Sequence, residues 1–171
     1  MEELIRIPEE RIAILIGTNG ATRKSITKPT KTKMEIDSHS GEVTIIGEGE
    51  NFVKAVDIVR AIGRGFSPKR ALTLLADNYL LKIIEIVSYS GKNRSAQEAK
   101  RGRVIGRHGE ARKEIEKKTG SLISVYGKTV AIIAQPDTIE ATIEAVEMLL
   151  QGAAHETMGH FLEEKHERFE L

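Results

Sequence analysis

One glycine-centred segment occurs twice in this chain, and that repeat limits what the chain can fold into more than any other feature. Ile16-Gly17-Thr18-Asn19-Gly20-Ala21-Thr22-Arg23-Lys24-Ser25-Ile26 aligns without a gap on Ile105-Gly106-Arg107-His108-Gly109-Glu110-Ala111-Arg112-Lys113-Glu114-Ile115, with six identities. Downstream, Gly41-Glu42-Val43-Thr44-Ile45-Ile46 resembles Gly127-Lys128-Thr129-Val130-Ala131-Ile132-Ile133, the loops between differing by a few residues. A spacing of nearly 90 residues is too long for a solenoid unit, so the repeat means two similar domains.

The coarse elements run in the same order in both halves. Leu4–Ile7 reads as a strand, and Pro8 opens a helix that passes through Ile12–Leu15 and stops at Gly17. A second helix follows Gly20 and ends before Pro29. Lys33–Asp37 and Val43–Gly47 are β-formers around the turn Ser38–Gly41, and Asn51 caps a third helix with apolar residues at Phe52, Val53, Val56, Ile58, Val59 and Ile62. The second half repeats β-α-α-β-β-α. It has a strand at Leu80–Val87, a helix reaching Val104, a helix from Glu110, strands at Leu122–Tyr126 and Thr129–Ala134, and a helix over Pro136–Leu150. The expected fold is α+β. Residues 1–64 form the first domain, 65–78 a turn-rich linker with a short helix at Ala71–Leu75, 79–152 the second domain, and 153–171 an acidic helical extension.

At 40% apolar residues the chain has enough material for packed cores. The absence of cysteine excludes disulfides, thiolate zinc sites and thiol catalysis, and suits a reducing cytosol. Acids at Glu2 and Glu3 stand where a signal peptide carries bases, and the apolar runs are too short to span a bilayer, so a cytoplasmic protein is expected. Abundant Lys, Glu and Ile suit a thermophile. The net charge of +1 conceals a strong pattern. Arg11–Lys33 holds six bases and no acid, Lys92–Lys118 ten bases against four acids, and Gln135–Leu171 nine acids against two bases. Two positive segments and an acidic tail result, and each positive segment contains one of the glycine repeats.

Both Gly-x-x-Gly segments lie between helices, not after a strand. A dinucleotide fingerprint needs three glycines in a strand-to-helix turn, and a P-loop needs Lys and Ser or Thr directly after its last glycine. Neither pattern is met. A helix–Gly-x-x-Gly–helix turn instead brings backbone amides and a helix N-terminus against a sugar-phosphate backbone, because glycine has no Cβ to block the approach.

Ile-Gly-x-x-Gly twice, each time inside β-α-α-β-β-α, resembles a tandem pair of type I KH domains, whose Gly-x-x-Gly loop clamps about four nucleotides of single-stranded RNA. Many KH domains have an apolar residue three positions after the second glycine, whereas here Arg23 and Arg112 stand there. That shared departure, with Ser124–Val130, the linker Gly65-Phe66-Ser67-Pro68 and the tail after Gly152, is similar to the archaeal KH factor of small-subunit ribosome assembly, over almost the whole chain. The resemblance implies binding near the 3′ end of 16S rRNA. It also implies two protein partners, the PIN-domain endonuclease of rRNA 3′-end maturation and the alpha subunit of archaeal initiation factor two.

The candidate RNA-binding residues are Gly17, Thr18, Asn19 and Gly20 in the first turn and Gly106, Arg107, His108 and Gly109 in the second. Arg23, Lys24, Arg112 and Lys113 follow one helical turn later, and Lys100, Arg101 and Arg103 precede the second turn. Arg107 and His108 occupy the variable positions of the second turn, where side chains can meet phosphates directly, whereas Thr18 and Asn19 offer only neutral hydrogen bonds, so the second domain is expected to bind more tightly and with a steeper salt dependence. Ile14, Ile16, Ile26, Ile36, Val104, Ile105, Ile115 and Ile123 are mostly core, with a few left to line a base groove, and Tyr126 is the best aromatic candidate. The competing bland readings are helix-capping glycines and solvated basic faces.

Three alternative functions remain from sequence: a KH scaffold that binds proteins only, an exosome- or transcription-type KH factor, and a hydrolase. The scaffold predicts indifference to charge changes in both turns. The helices at Asn51–Ile62 and Pro136–Leu150 argue against the transcription-type topology. For the hydrolase no catalytic spacing stands out. His155 and His160, in a stretch resembling a metalloprotease motif, are five apart and so about 140° apart on a helix, which is wrong for zinc. No catalytic residue, metal or cofactor is expected.

Overall fold

The computed structural model describes the backbone of residues 1–169 and the side chains through 167. The chain separates into two compact units, Met1–Asp77 and Asn78–Leu171. The first runs β1 (Glu2–Arg6), α1 (Glu9–Ile16), α2 (Ala21–Thr30), β2 (Lys33–Asp37), β3 (Glu42–Ile46), α3 (Gly49–Gly63) and α4 (Pro68–Ala71), with a 3₁₀ turn at Leu72–Leu75. The second runs β4 (Leu80–Glu85), α5 (Val87–Ser90), α6 (Arg94–Ile105), α7 (Glu110–Thr119), β5 (Leu122–Tyr126), β6 (Thr129–Ala134), α8 (Pro136–Leu150) and α9 (His155–Phe169). Each unit holds a three-stranded antiparallel sheet with its last strand central, ordered β1-β3-β2 and β4-β6-β5. The fold class and the doubled β-α-α-β-β-α order are those expected from the repeat.

Period-two alternation decides which face of the first sheet meets the helices. Ile5, Met34, Val43 and Ile45 turn inward and are buried with Ile12, Leu15 and Ile26 from α1 and α2, whereas Leu4 and Glu35 on the opposite face are exposed. The second unit differs. All six residues of β6 are buried, so both faces of that strand are covered, and it reads as a near-continuous apolar run.

Some boundaries differ from the expected ones for local reasons. β1 begins at Glu2, two residues early, because it pairs along the whole of β3, Glu2 opposite Ile46 and Arg6 opposite Glu42. α2 continues through Pro29 to Thr30. A proline in the last turn removes a single backbone bond, and its ring faces solvent here. α3 begins at Gly49 behind an extended Glu48, so Asn51 lies inside it and is not its cap. The strand expected over Leu80–Val87 stops at Glu85, where the chain enters the short α5. The expected short helix after the boundary begins earlier, at Pro68, with Ser67 capping it through the Arg70 N–H. In the acidic extension, residues 170 and 171 lie outside the described part.

α9 packs on the helices of its own unit. Met158 and Leu162 are buried in the same core as Ile115, Val146 and Leu149. Gly159 lets α9 approach α7 closely, since a Cβ there would stand 2.9 Å from a Glu114 carboxylate oxygen. Lys118 Nζ donates to Glu114 Oε1 (2.8 Å) and Glu163 Oε1 (3.2 Å), and His155 bonds the other Glu114 oxygen.

Candidate nucleic-acid interface

The two glycine turns have the same backbone conformation. Gly17 and Gly106 sit at φ 74°, ψ 175° and φ 75°, ψ 175°. Asn19 and His108 are left-handed at φ 54°, ψ 30° and φ 55°, ψ 24°, and Gly20 and Gly109 at φ 75°, ψ 16° and φ 76°, ψ 12°. Asn and His are among the few residue types enriched in that left-handed region.

The two glycines of each pair do different work. A Cβ on Gly17 would lie 2.4 Å from Thr22 Oγ1, and one on Gly106 2.7 Å from the Ala111 Cβ, so the first glycine lets the turn fold back on its own helix. A Cβ on Gly20 would meet nothing within 4 Å, and one on Gly109 only the Lys113 side chain at 3.6 Å. The second glycine therefore leaves a bare backbone, open to an incoming group, at the positive N-terminus of α2 or α7.

The expected site residues fall into two sets. Thr18, Asn19, Lys24, Arg107, His108 and Lys113 are exposed at the turns and the first helical turns beyond them. The remaining cations bond carbonyls of the chain itself, Lys100 and Arg101 from half-buried positions and Arg103 from an exposed one. Lys100 donates to the Leu150 carbonyl (2.6 Å), closing the end of α8 as Arg11, its counterpart in the repeat, closes α3 at the Ile62 carbonyl (2.8 Å). Arg101 donates to the Gly127 carbonyl (2.8 Å) and Arg103 to that of Ala153 (3.4 Å).

Arg23 and Arg112 point across to the neighbouring edge strand in different ways. Arg23 donates directly to the Met34 carbonyl on β2. Arg112 pairs with Glu116 (2.7 Å), whose other oxygen accepts the Ile123 N–H of β5 (2.9 Å). Glu116 was not singled out from sequence, although its i, i+4 spacing from Arg112 was the available signal. Ile16, Ile36, Ile105 and Val125 are half-buried beside turn and edge strand, whereas Ile26, Val104, Ile115 and Ile123 are fully in the core. Tyr126 is half-buried at the β5 hairpin.

α9 leaves this region free. On α7, Glu114 and Lys118 face α9, while Arg112 and Glu116 lie roughly on the opposite side of the helix and face β5, as the 100° step per residue requires. Among the described residues no cluster of three or more His, Asp or Glu is arranged to hold a metal, and no helix is long and apolar enough to cross a membrane.

Known proteins with this architecture bear on what the turns contact. Residues 80–167 match the model of the eukaryotic type KH domain (KH-domain type I), in the form found as the second domain of PNO1, and residues 2–61 match the general KH domain. A KH domain-containing protein of Methanocaldococcus jannaschii is 45% identical over 99% of this chain and 78% of its own length. The crystal structure of Dim2p from Pyrococcus horikoshii OT3 is 46% identical with a TM-score of 0.88, covering 96% of this chain and 99% of that one. A chain in the P. horikoshii complex of a/eIF2alpha, aDim2p and rRNA is 45% identical with a TM-score of 0.92, covering 98% of this chain and 95% of that one.

Proposed function

We propose, from the premise that this chain belongs to the type I KH family and carries two such domains in tandem, that it binds single-stranded rRNA during small ribosomal subunit assembly. The observation that carries the reading is the pair of superposable turns, each with a sterically open second glycine at a helix N-terminus beside exposed cations. Such a turn offers backbone donors and positive potential to a phosphate, and a half-buried apolar strip beside it for unstacked bases. We take the RNA to be the 3′-end region of 16S rRNA. Its protein partners would be the alpha subunit of initiation factor two, the kind of protein found with aDim2p and rRNA in the P. horikoshii complex, and a PIN-domain endonuclease. The chain acts in the cytoplasm as a binder that presents RNA, and any cleavage belongs to the partner.

The contact set we assign is Gly17–Gly20 with Lys24 and Gly106–Gly109 with Lys113. Arg23 and Arg112 stand behind the turns at the edge strands. Lys100, Arg101 and Arg103 precede the second turn with their charged ends bonded to carbonyls of the chain, and we leave them outside this set. The test is binding to a labelled RNA matching the 3′ end of 16S rRNA against a scrambled RNA, over a salt series. Thr18→Asp/Asn19→Asp and Arg107→Asp/His108→Asp should each weaken binding, the second pair by about tenfold or more, because it also removes the Arg107 cation from the phosphates. Unchanged affinity in both variants would leave the scaffold reading standing.

A further inference from the structure

The two edge strands beside the glycine turns carry different internal partners at equivalent positions, Met34 on β2 and Ile123 on β5. On an antiparallel edge strand the N–H and C=O of one residue point to the same side. The Arg23 bond to the Met34 carbonyl therefore means that the Met34 N–H also faces outward. In the second domain the equivalent N–H, that of Ile123, is filled by Glu116, and the same carboxylate neutralises Arg112. The position equivalent to Glu116 in the first domain is Thr27, which has no charge and is too short to span to the strand.

We propose that Glu116 is a gate on the second domain's base groove, a built-in acceptor that a nucleotide must displace from Ile123 or Arg112 before it can use either. The inference rests on the RNA-binding reading above and adds a residue that sets how strongly one domain binds. The pair is well placed to compete. The Arg112 and Glu116 side chains are 26% and 15% exposed, so it lies at the groove wall and not out in solvent. A carboxylate there also repels phosphate and accepts hydrogen bonds only, so it opposes the RNA electrostatically as well as sterically. In the first domain a guanidinium reaches the strand carbonyl itself, and Thr27 stands where Glu116 does.

The experiment uses the full chain and a labelled single-stranded RNA of about 12 nucleotides, long enough for both turns. Glu116→Thr copies the first domain, and Glu116→Gln keeps an acceptor for Ile123 while loosening Arg112. Affinity should rise in the order wild type, Glu116→Gln, Glu116→Thr, by roughly three- to tenfold in total, with the salt slope steeper by about 0.7 as Arg112 is released. To keep the test independent of how the variants fold, the wild-type Ile123 amide is followed by NMR during titration. The gate predicts that its resonance moves at saturation. Equal or weaker binding by a folded Glu116→Thr chain, or an Ile123 amide unmoved by saturating RNA, overturns the gate while the RNA-binding reading stands. If wild type binds no RNA while Thr18→Asp/Asn19→Asp and Arg107→Asp/His108→Asp behave identically to it, the RNA-binding reading itself fails and the gate with it.

Discussion

At the scale of single residues, the two glycines of each turn separate into one that shapes the backbone and one that opens it. Gly17 and Gly106 combine a positive φ with an extended ψ, a region only glycine enters easily, and both are hemmed in by the following helix. Alanine at either should cost about 2–4 kcal/mol, read as a fall in the urea midpoint. Alanine at Gly20 meets open space in ordinary left-handed geometry and should cost about 1 kcal/mol. In the contact set proposed above, its Cβ would nevertheless stand where a sugar-phosphate backbone approaches. Gly20→Ala should therefore lose RNA affinity while melting close to wild type, and Gly17→Ala should lose stability first. The reverse ranking would mean that the open face is not the contact face. The spacing of these glycines was legible in the sequence because a repeat announces backbone demands directly. Where Arg23 and Arg112 point was not. A sequence places a side chain on a helix face but does not say whether a strand carbonyl or a carboxylate lies within its reach.

At the scale of elements, α9 shows how an acidic tail becomes part of a core. Its acids suit a solvated surface, yet Met158 and Leu162 anchor it on α7 and α8. Leu162→Ala should cost about 2–4 kcal/mol and lower the unfolding midpoint of the second domain. The ionic seam beside these residues adds a pH signature. Burial pushes the Glu114 carboxyl up, but hydrogen bonds from Lys118 and His155 outweigh it and hold it below the usual carboxylate range. A carboxylate lowered in the folded state contributes stability above its unfolded value and loses it as pH falls through the folded one. Lys118, bonded chiefly to Glu114, is shifted up, so its contribution is complete below the usual lysine value and disappears only at alkaline pH. Docking of α9 should thus hold across neutral pH and weaken in acid. Thermal melts of Glu114→Gln should show less of that acid loss than wild type, and an identical acid limb would rule the seam out as its cause. Helix positions in this half were readable from periodicity and caps. The pairing of α9 was not, because Glu114, Lys118, His155 and Glu163 are joined by a contact of about 40 residues' separation that no local pattern encodes.

At the scale of the whole molecule, a net charge of +1 coexists with RNA binding because charge is sorted along the chain and not averaged over it. The exposed cations at the turns are few: Lys24 at the first, Arg107 and Lys113 at the second. With about 0.7 counterions released per phosphate contact on a single strand, these three predict a salt slope near 2, well below that of a protein held by a broad basic surface. Affinity must then come from the number of turns engaged as much as from charge. Each turn takes about four nucleotides, so a tetranucleotide should bind twice per chain, which calorimetry reads directly as stoichiometry. Arg107→Asp/His108→Asp should reduce that number to one, leaving the weaker, less salt-sensitive site at Gly17–Gly20, and Thr18→Asp/Asn19→Asp should leave the other. A wild-type stoichiometry of one that vanishes with one loop variant and survives the other would mean that one turn alone grips RNA, and the matching backbone of its twin would then serve the fold of its domain.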